Sequence, residues 1–337
     1  MANIRQAMKS EMQEIQNFLH QYWRKNFILA RDNDLFEWQH HTINSDLLNF
    51  IIARDPQNDL IGILGFIPST QYSSQSERVT LWLTTWKVKP TAPSLTGMQM
   101  LQYIAKIIPH SSIGGVGMSL DVAPLYKALK YEIGTLNHWY IFAHPNQASI
   151  YPIDNNTVNS LKEDHEIHTK SFIELTQDTL GDSQVFNENN SYKNAVYLIN
   201  RYLKHPTYTY QIWQLEHNNH AGLIVTRKIK TEKFTVMRII DFVGDALSLL
   251  AAPVYLRPMM QKNDISYVDF YEYGLPADIL NQAGFSLKDR GADRIIPDHF
   301  EPFEYKNIDI HFIFKSHEKI DTPYCLFKGD GDQDRPS

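Results

Sequence analysis

An α/β (α+β) chain of two tandem modules, each a mixed and mostly antiparallel sheet flanked by helices, is what three features of the sequence predict. At 337 residues the chain exceeds the length at which one hydrophobic core usually stops growing. The first half alternates helical and strand periodicities in a definite order, and the second half repeats that order. Between them, from Asn146 to Asn190, the composition turns polar, with Asn-Asn pairs at 155–156 and 189–190, which sets a boundary near residue 150 and domains of 1–150 and 151–337.

The elements follow in sequence. From Ser10 to Trp23, Met12, Ile15, Phe18, Leu19 and Tyr22 recur at three- and four-residue steps, the mark of a helix with one apolar face. Leu48–Ala53 and Leu60–Ile67 read as strands joined across a turn rich in Pro, Asn and Asp, and Val79–Val88 as a third strand that ends at Lys89-Pro90. A helix beginning near Gly97 carries Met100, Leu101, Ile104, Ile107 and Ile108 on one side. A strand at Ile113–Ser119, a helix through Leu125 and Leu129, and a strand at Thr135–Phe142 complete the first half. The second half reads as a helix at Ser191–Leu203, strands at Tyr208–Leu215, Ala221–Ile229 and Phe234–Phe242, a helix at Asp245–Gln261, a strand at Tyr267–Tyr273 and a helix at Ala277–Ala283.

Bulk composition excludes several classes. With 43% hydrophobic and 21% charged residues the chain is an ordinary globular protein. Its single cysteine, Cys325, allows no internal disulfide and no Cys-based zinc site, and favours a reducing compartment. No run approaches the ~20 apolar residues that span a bilayer, and the first residues carry no secretory apolar region, so a cytoplasmic protein without membrane insertion is expected. A net charge of −6 without a Lys/Arg cluster argues against a nucleic-acid partner. His40 and His41 face different ways on a helix, and the Asp-rich segment 328–337 lacks the bidentate glutamate of a calcium loop, so no metal is expected.

The element order, with a loop-to-helix junction after the third strand, resembles the GCN5-related N-acetyltransferase (GNAT) family. Two short motifs carry the likeness further. Leu125-Tyr126-Lys127-Ala128-Leu129-Lys130-Tyr131 and Leu280-Asn281-Gln282-Ala283-Gly284-Phe285 are similar to the family's Tyr-x-x-Leu-Gly-Phe, the first keeping the tyrosine and the second the Gly-Phe. In that family the tyrosine acts as general acid toward the departing thiolate, so the resemblance assigns Tyr126 to catalysis and the chemistry to the first module; a core tyrosine is the alternative. It also implies coenzyme A, carried as an acyl-CoA co-substrate, with Trp86 and Val88 along the pantetheine arm and Ser94, Leu95, Thr96, Gly97, Met98 and Gln99 at the pyrophosphate, where a helix start offers free N–H groups and a favourable dipole. Only Gly97 remains of the family's glycine-rich loop.

Further candidates concern the acceptor. Arg31, Asp34, Trp38 and His41 lie in the segment where the family varies its acceptor contacts, aromatics beside carboxylates being suited to a base and an amine; a solvated helix anchored by Phe36 and Trp38 is the plain alternative. Asp241 ends an apolar strand and is either a base for an ammonium or a turn acid. Arg238, Glu272 and Tyr273 complete the acceptor set in the second module, which is expected to bind the acceptor. Over nearly the whole chain, segments such as Tyr22–Leu29, Leu35–Gln39 and Gly329–Pro336 resemble two-module sugar N-acyltransferases of bacterial surface-polysaccharide clusters. That likeness implies a 3-hydroxybutyryl or acetyl donor and a dTDP-linked 3-amino-3,6-dideoxyhexose acceptor. A tRNA-dependent aminoacyl transferase and a non-catalytic binder of acyl-CoA or nucleotide sugar are the rival readings. Two modules in one chain favour a monomer.

Overall fold

The structure is a computed structural model that describes residues 2–73, 78–142, 172–186, 192–230, 234–289, 296, 307–317 and 324–336. The chain forms two compact units. Unit 1 comprises Met1–Gly134, His311–Ile320 and Asp330–Ser337; unit 2 comprises Thr135–Ile310 and Asp321–Gly329. Packing therefore divides the chain after Gly134, not near residue 150. The polar shift in composition lies past a strand that already belongs to the second sheet, and most of that polar segment is outside the described residues.

In unit 1 the elements run β1 (Asn3–Met8), α1 (Met12–Phe18), α2 (Asn33–His40), β2 (Leu47–Arg54), β3 (Leu60–Pro68), β4 (Thr80–Val88), α3 (Thr96–Ile107), β5 (Ser112–Val116), α4 (Ala123–Ala128) and β6 (Glu132–Thr135). Unit 2 contains β7 (Asn137–Phe142), β8 (Phe172–Leu175), α5 (Ala195–Leu198), β9 (Tyr210–His217), β10 (His220–Lys230), β11 (Thr235–Gly244), α6 (Ala252–Lys262), β12 (Ile265–Tyr273), α7 (Ala277–Gln282) and β13 (Ser286–Leu287). Then come β14 (His311–Ser316), in unit 1, and β15 (Leu326–Phe327), in unit 2.

The two sheets have one topology. Unit 1 is ordered β1-β2-β3-β4-β5-β14-β6 and unit 2, read from its far edge, β8-β9-β10-β11-β12-β7-β13. In each, three antiparallel pairings lead to one parallel pairing, β4 with β5 and β11 with β12, and then to an antiparallel one. The sixth place in each sheet is filled by the strand that follows the other repeat: β7 follows β6 in the chain, and β14 follows β13. The expected strand Thr135–Phe142 accordingly splits at Leu136 into β6 and β7, one strand for each sheet. The first helix of each repeat also ends alike, in a wide π turn, at Leu19–Trp23 after α1 and at Ile199–Leu203 after α5.

Each sheet buries its own core. In unit 1, Ile15, Phe18, Leu35, Phe36 and Phe50 pack on the α1–α2 side, while Leu64, Leu83, Met100, Ile104 and Tyr126 pack on the α3–α4 side. Unit 2 centres on Trp139, Ile239, Phe242, Leu256, Phe270, Leu280 and Phe285. Apolar burial of this kind is the main stabilising term in both.

Candidate active site

A one-residue bulge in the third long strand organises both units. Leu64 pairs with Trp86 but Phe66 with Leu83, so β4 carries one extra residue at Thr84-Thr85. The bulge flips the alternation: Leu81 and Leu83 before it, and Trp86 and Val88 after it, face the same core. In unit 2, Val225 pairs with Asp241 and Thr226 with Ile239, and Met237, Ile239 and Phe242 share the core face. Ile240-Asp241 thus stands where Thr84-Thr85 stands.

Beyond the bulge β4 leaves its neighbour. Its parallel pairing with β5 covers only Thr80–Ser112, Leu81–Ile113 and Trp82–Gly114; among the described residues Leu83–Val88 have no strand partner on that side. Four polar side-chain atoms of this one strand, Trp82 Nε1, Thr84 Oγ1, Thr85 Oγ1 and Trp86 Nε1, are buried without a hydrogen-bond partner. Leaving such a group unpaired costs about 1–3 kcal/mol, so each calls for a partner from outside the strand; of the four, Trp86 is the one that faces the α3–α4 core.

The start of α3 lies against the same strand. Leu95 takes the N-cap position with φ of 71° and gives no side-chain cap, and the Thr96 hydroxyl donates to the Pro93 carbonyl at 2.7 Å. The first-turn N–H groups are thus not capped by a side chain, as an anion site requires. Gly97 has a packing reason: a Cβ there would come within 3.0 Å of the Trp86 indole. Ser94, Leu95 and Gln99 are exposed, and Gly97 and Met98 half-buried. Trp86 meets the Tyr126 ring edge-on, with centroids 5.9 Å apart. The structure therefore brings Trp86, Gly97 and Tyr126 together.

Tyr126 sits in α4, 4% exposed, its ring against Tyr131 at 5.1 Å. Burial, followed by repulsion from Tyr131, raises its pKa well above the tyrosine range, so the phenol stays neutral. It suits donation of a hydrogen bond to a developing thiolate. The helix closes through Tyr131 N–H to Tyr126 C=O and Lys130 N–H to Lys127 C=O, each 3.0 Å, with Lys130 at φ of 62°. The second motif closes identically, Phe285 to Leu280 and Gly284 to Asn281, with Gly284 at φ of 78°. Tyr126, Lys130 and Tyr131 therefore match Leu280, Gly284 and Phe285 in geometry.

The proposed acceptor residues separate. Arg31 and Asp34 line one cavity of about 540 Å³ with Ile28, Asp32 and Asn33; Asp32 caps α2 by accepting from Leu35 N–H at 2.9 Å. Trp38 packs on Tyr72, and the His41 ring bonds to the Ser45 carbonyl at 2.8 Å. His40 is a core residue held neutral, burial lowering its pKa to about 3.

Three second-module candidates prove to be interior groups. Asp241, 0% exposed, accepts from Lys193 Nζ (2.7 Å), Tyr202 Oη (2.6 Å) and its neighbour Phe242 N–H (2.9 Å); a carboxylate so occupied is not placed to take a proton. Arg238 is equally buried and forks onto Asp269 through Nε (2.9 Å) and Nη2 (2.5 Å). Glu272 accepts from Asn137, Trp139 and the Leu275 N–H, at 2.8–3.0 Å; burial raises its pKa in spite of these donors. Sequence alone shows a charge on a strand, not which face carries it or what it meets. Tyr273 pairs with Leu326 and packs on Tyr324.

Sequence reasoning missed two features. In unit 2 the gap between β11 and β12, whose pairing stops at Ile239–Phe270, is filled: β15 pairs with β12 through Glu272–Phe327 and Tyr273–Leu326, and Gly329 N–H donates to the Ile240 carbonyl at 2.8 Å. Residues 330–334, which composition likens to an incomplete calcium loop, are buried in unit 1 at Asp330, Asp332, Gln333 and Asp334; Asp332 pairs with Arg335 at 2.9 Å and Arg335 lies over Phe27. Among the described residues no helix is long and apolar enough to cross a membrane.

No family model matches the chain, and no curated protein does. Solved structures do. A GCN5-related N-acetyltransferase from Anabaena variabilis superposes with a TM-score of 0.57 at 14% identity, covering 94% of this chain and 73% of its own. A conserved protein of unknown function from Enterococcus faecalis, a probable N-acyltransferase, gives 0.57 at 11% with the same coverage. A GCN5-related N-acetyltransferase from Kribbella flavida gives 0.54 at 9%, covering 94% and 71%. Over almost its full length, then, the chain has the fold of two tandem GNAT-like modules.

Proposed function

We propose that the protein is an acyl-CoA-dependent N-acyltransferase whose donor site is the open gap of unit 1. The observation that carries this reading is the row of unpaired buried polar atoms on β4, beside an uncapped helix start and a neutral tyrosine. An extended pantetheine amide would satisfy the unpaired edge of β4 as an added strand does, and the first turn of α3 would hold the pyrophosphate. The residues present therefore fit coenzyme A.

The amine attacks the thioester carbonyl directly, the C–N bond forms, and the C–S bond breaks with the electron pair on sulfur. Backbone N–H groups beyond the bulge polarise the carbonyl, and Tyr126 donates to the thiolate. The amine must be neutral to attack, so its extra proton leaves first. Of the two carboxylates considered for that step, Asp34 is exposed beside a cavity and Asp241 is occupied. The acceptor class rests on the resemblance to sugar N-acyltransferases: a dTDP-linked 3-amino-3,6-dideoxyhexose, acylated with a 3-hydroxybutyryl or acetyl group in a cytoplasmic step of surface-polysaccharide assembly by a monomeric enzyme.

The test pairs acetyl- and 3-hydroxybutyryl-CoA with dTDP-linked 3-amino and 4-amino dideoxy sugars, measures thiol release and identifies the product by mass spectrometry. Amine-dependent release with an N-acylated product is expected. Coenzyme A binding without release would point to a binding protein, and absence of coenzyme A binding would overturn the reading.

A further inference from the structure

Unit 2 holds a second cavity, of about 560 Å³, lined among others by Asn137, His138, Tyr271, Lys288, Asp289 and Asp309. His138, on β7, is 5% exposed. Its Nε2 is 3.0 Å from Asp269 Oδ2, and Asp269 on β12 is held ionised against its burial by the Arg238 guanidinium. An ionised carboxylate only accepts hydrogen bonds, so the proton of a neutral imidazole must sit on Nε2.

Nδ1 then carries a lone pair, and it is buried without a hydrogen-bond partner. Burial lowers the pKa of His138 below the imidazole range, opposed by Asp269, which keeps Nδ1 an acceptor near neutral pH. The Tyr271 ring, stacked on the imidazole with centroids 3.9 Å apart and planes 15° apart, fixes its orientation. A ring whose proton is placed by a carboxylate and whose other nitrogen faces no protein donor has the arrangement of a ligand-binding or proton-accepting histidine. Asp289 and Asp309 are exposed on the same cavity wall beside the buried Lys288, so two carboxylates face one ammonium and the wall keeps a net negative charge.

We propose that this cavity binds a small molecule bearing a primary ammonium group, which donates one N–H to His138 Nδ1 while Asp289 and Asp309 supply the countercharge. The site stands on the imidazole and the cavity; the amino sugar of the function proposed above serves below as a ligand of the required class.

The test uses the full chain with 15N-labelled histidine and follows ring nitrogens by long-range 1H–15N correlation, assigning His138 from its loss in His138→Gln. If that variant does not fold, assignment comes from replacing the surface histidines in turn. In the free protein His138 is expected as the Nε2–H form. Saturation with dTDP-3-amino-3,6-dideoxy-D-galactose is expected to shift the Nδ1 resonance, and Asp309→Asn to weaken calorimetric binding of this amino sugar about threefold, an exposed ion-pair effect, while binding of the corresponding 3-hydroxy sugar stays unchanged. Binding that leaves the His138 nitrogens unmoved places the ligand elsewhere and overturns the site. Absence of amino-sugar binding overturns it too. Neither result touches the donor reading, which acyl-CoA binding and thiol release test separately.

Discussion

The gap between the third and fourth long strands is built twice in this molecule, and the two copies have been put to opposite uses. In unit 1, among the described residues, the strand edge past the bulge has no strand partner, and Thr84, Thr85 and Trp86 on that stretch keep unpaired polar side-chain atoms. In unit 2 the matching edge is closed by the chain itself: Gly329 bonds to Ile240, β15 pairs with β12, and Lys193 and Tyr202 occupy Asp241. The motif residue differs in the same sense, Tyr126 against the fully buried Leu280. One fold thus yields one copy whose strand edge past the bulge stays open and one whose edge the chain itself closes.

Breaking the closed copy gives the largest expected effect. Phe327 lies in the unit 2 core, parallel to Phe270 at 5.8 Å, so Phe327→Ala should cost about 3–5 kcal/mol in denaturant unfolding of unit 2 and speed hydrogen exchange at the Gly329 amide. Acyl-CoA affinity, measured by calorimetry at a temperature where the variant is folded, should not change. A large loss of affinity in a folded variant would place the donor in unit 2 and invert the comparison.

Exchanging the motif residues sharpens it. Tyr126→Phe should lower kcat roughly 100-fold, the scale of a lost general acid, with donor affinity nearly unchanged. Leu280→Tyr should add no activity, since that position opens onto packed Phe285 and Ala283. Wild-type turnover in Tyr126→Phe would remove the tyrosine from the chemistry.

A third difference is electrostatic. Unit 1 ties α1 and the residues before it to β1 and β2 through Glu11, which accepts from Arg5 and Arg54 at 2.7 Å. The hydrogen bond from Arg5 leads the effects that lower the Glu11 pKa to about 2. A depressed carboxylate stabilises the fold above its unfolded pKa of about 4.3 and loses that contribution as pH falls toward 2. Glu11→Gln should cost about 2 kcal/mol at pH 7 and less below pH 3, read as converging denaturation midpoints of variant and wild type. Equal losses at both pH values would show that packing, not charge, is at stake.

What sequence made legible was local. The duplicated order of elements followed from periodicity, and the Tyr126 motif from its resemblance to the family's Tyr-x-x-Leu-Gly-Phe. Strand exchange was not legible, because β7 and β14 have the same alternation whichever sheet they join; pairing is a long-range choice. The bulge at Thr84-Thr85 shifts the alternation by one residue, and a pair of threonines is common on any strand. His138 and Asp269 are 131 positions apart and meet only through the pairing of β7 with β12. The Gly- and Asp-rich end was legible only as an incomplete calcium loop, and composition gives no sign that Asp330, Asp332 and Asp334 are buried.

The smallest effect tests whether the two copies are equivalent at the level of the backbone. Lys130 and Gly284 occupy the same closing position, at φ of 62° and 78°, and a side chain there costs roughly 1 kcal/mol relative to glycine. Lys130 is exposed, so replacing it removes little packing. Lys130→Gly should therefore stabilise unit 1 by about 0.5–1 kcal/mol, and Gly284→Lys should destabilise unit 2 by a similar amount, both read from denaturation midpoints at constant slope. If Lys130→Gly destabilises instead, the lysine makes a contact that outweighs its strained backbone. The two helix ends would then be alike in geometry but not in energy.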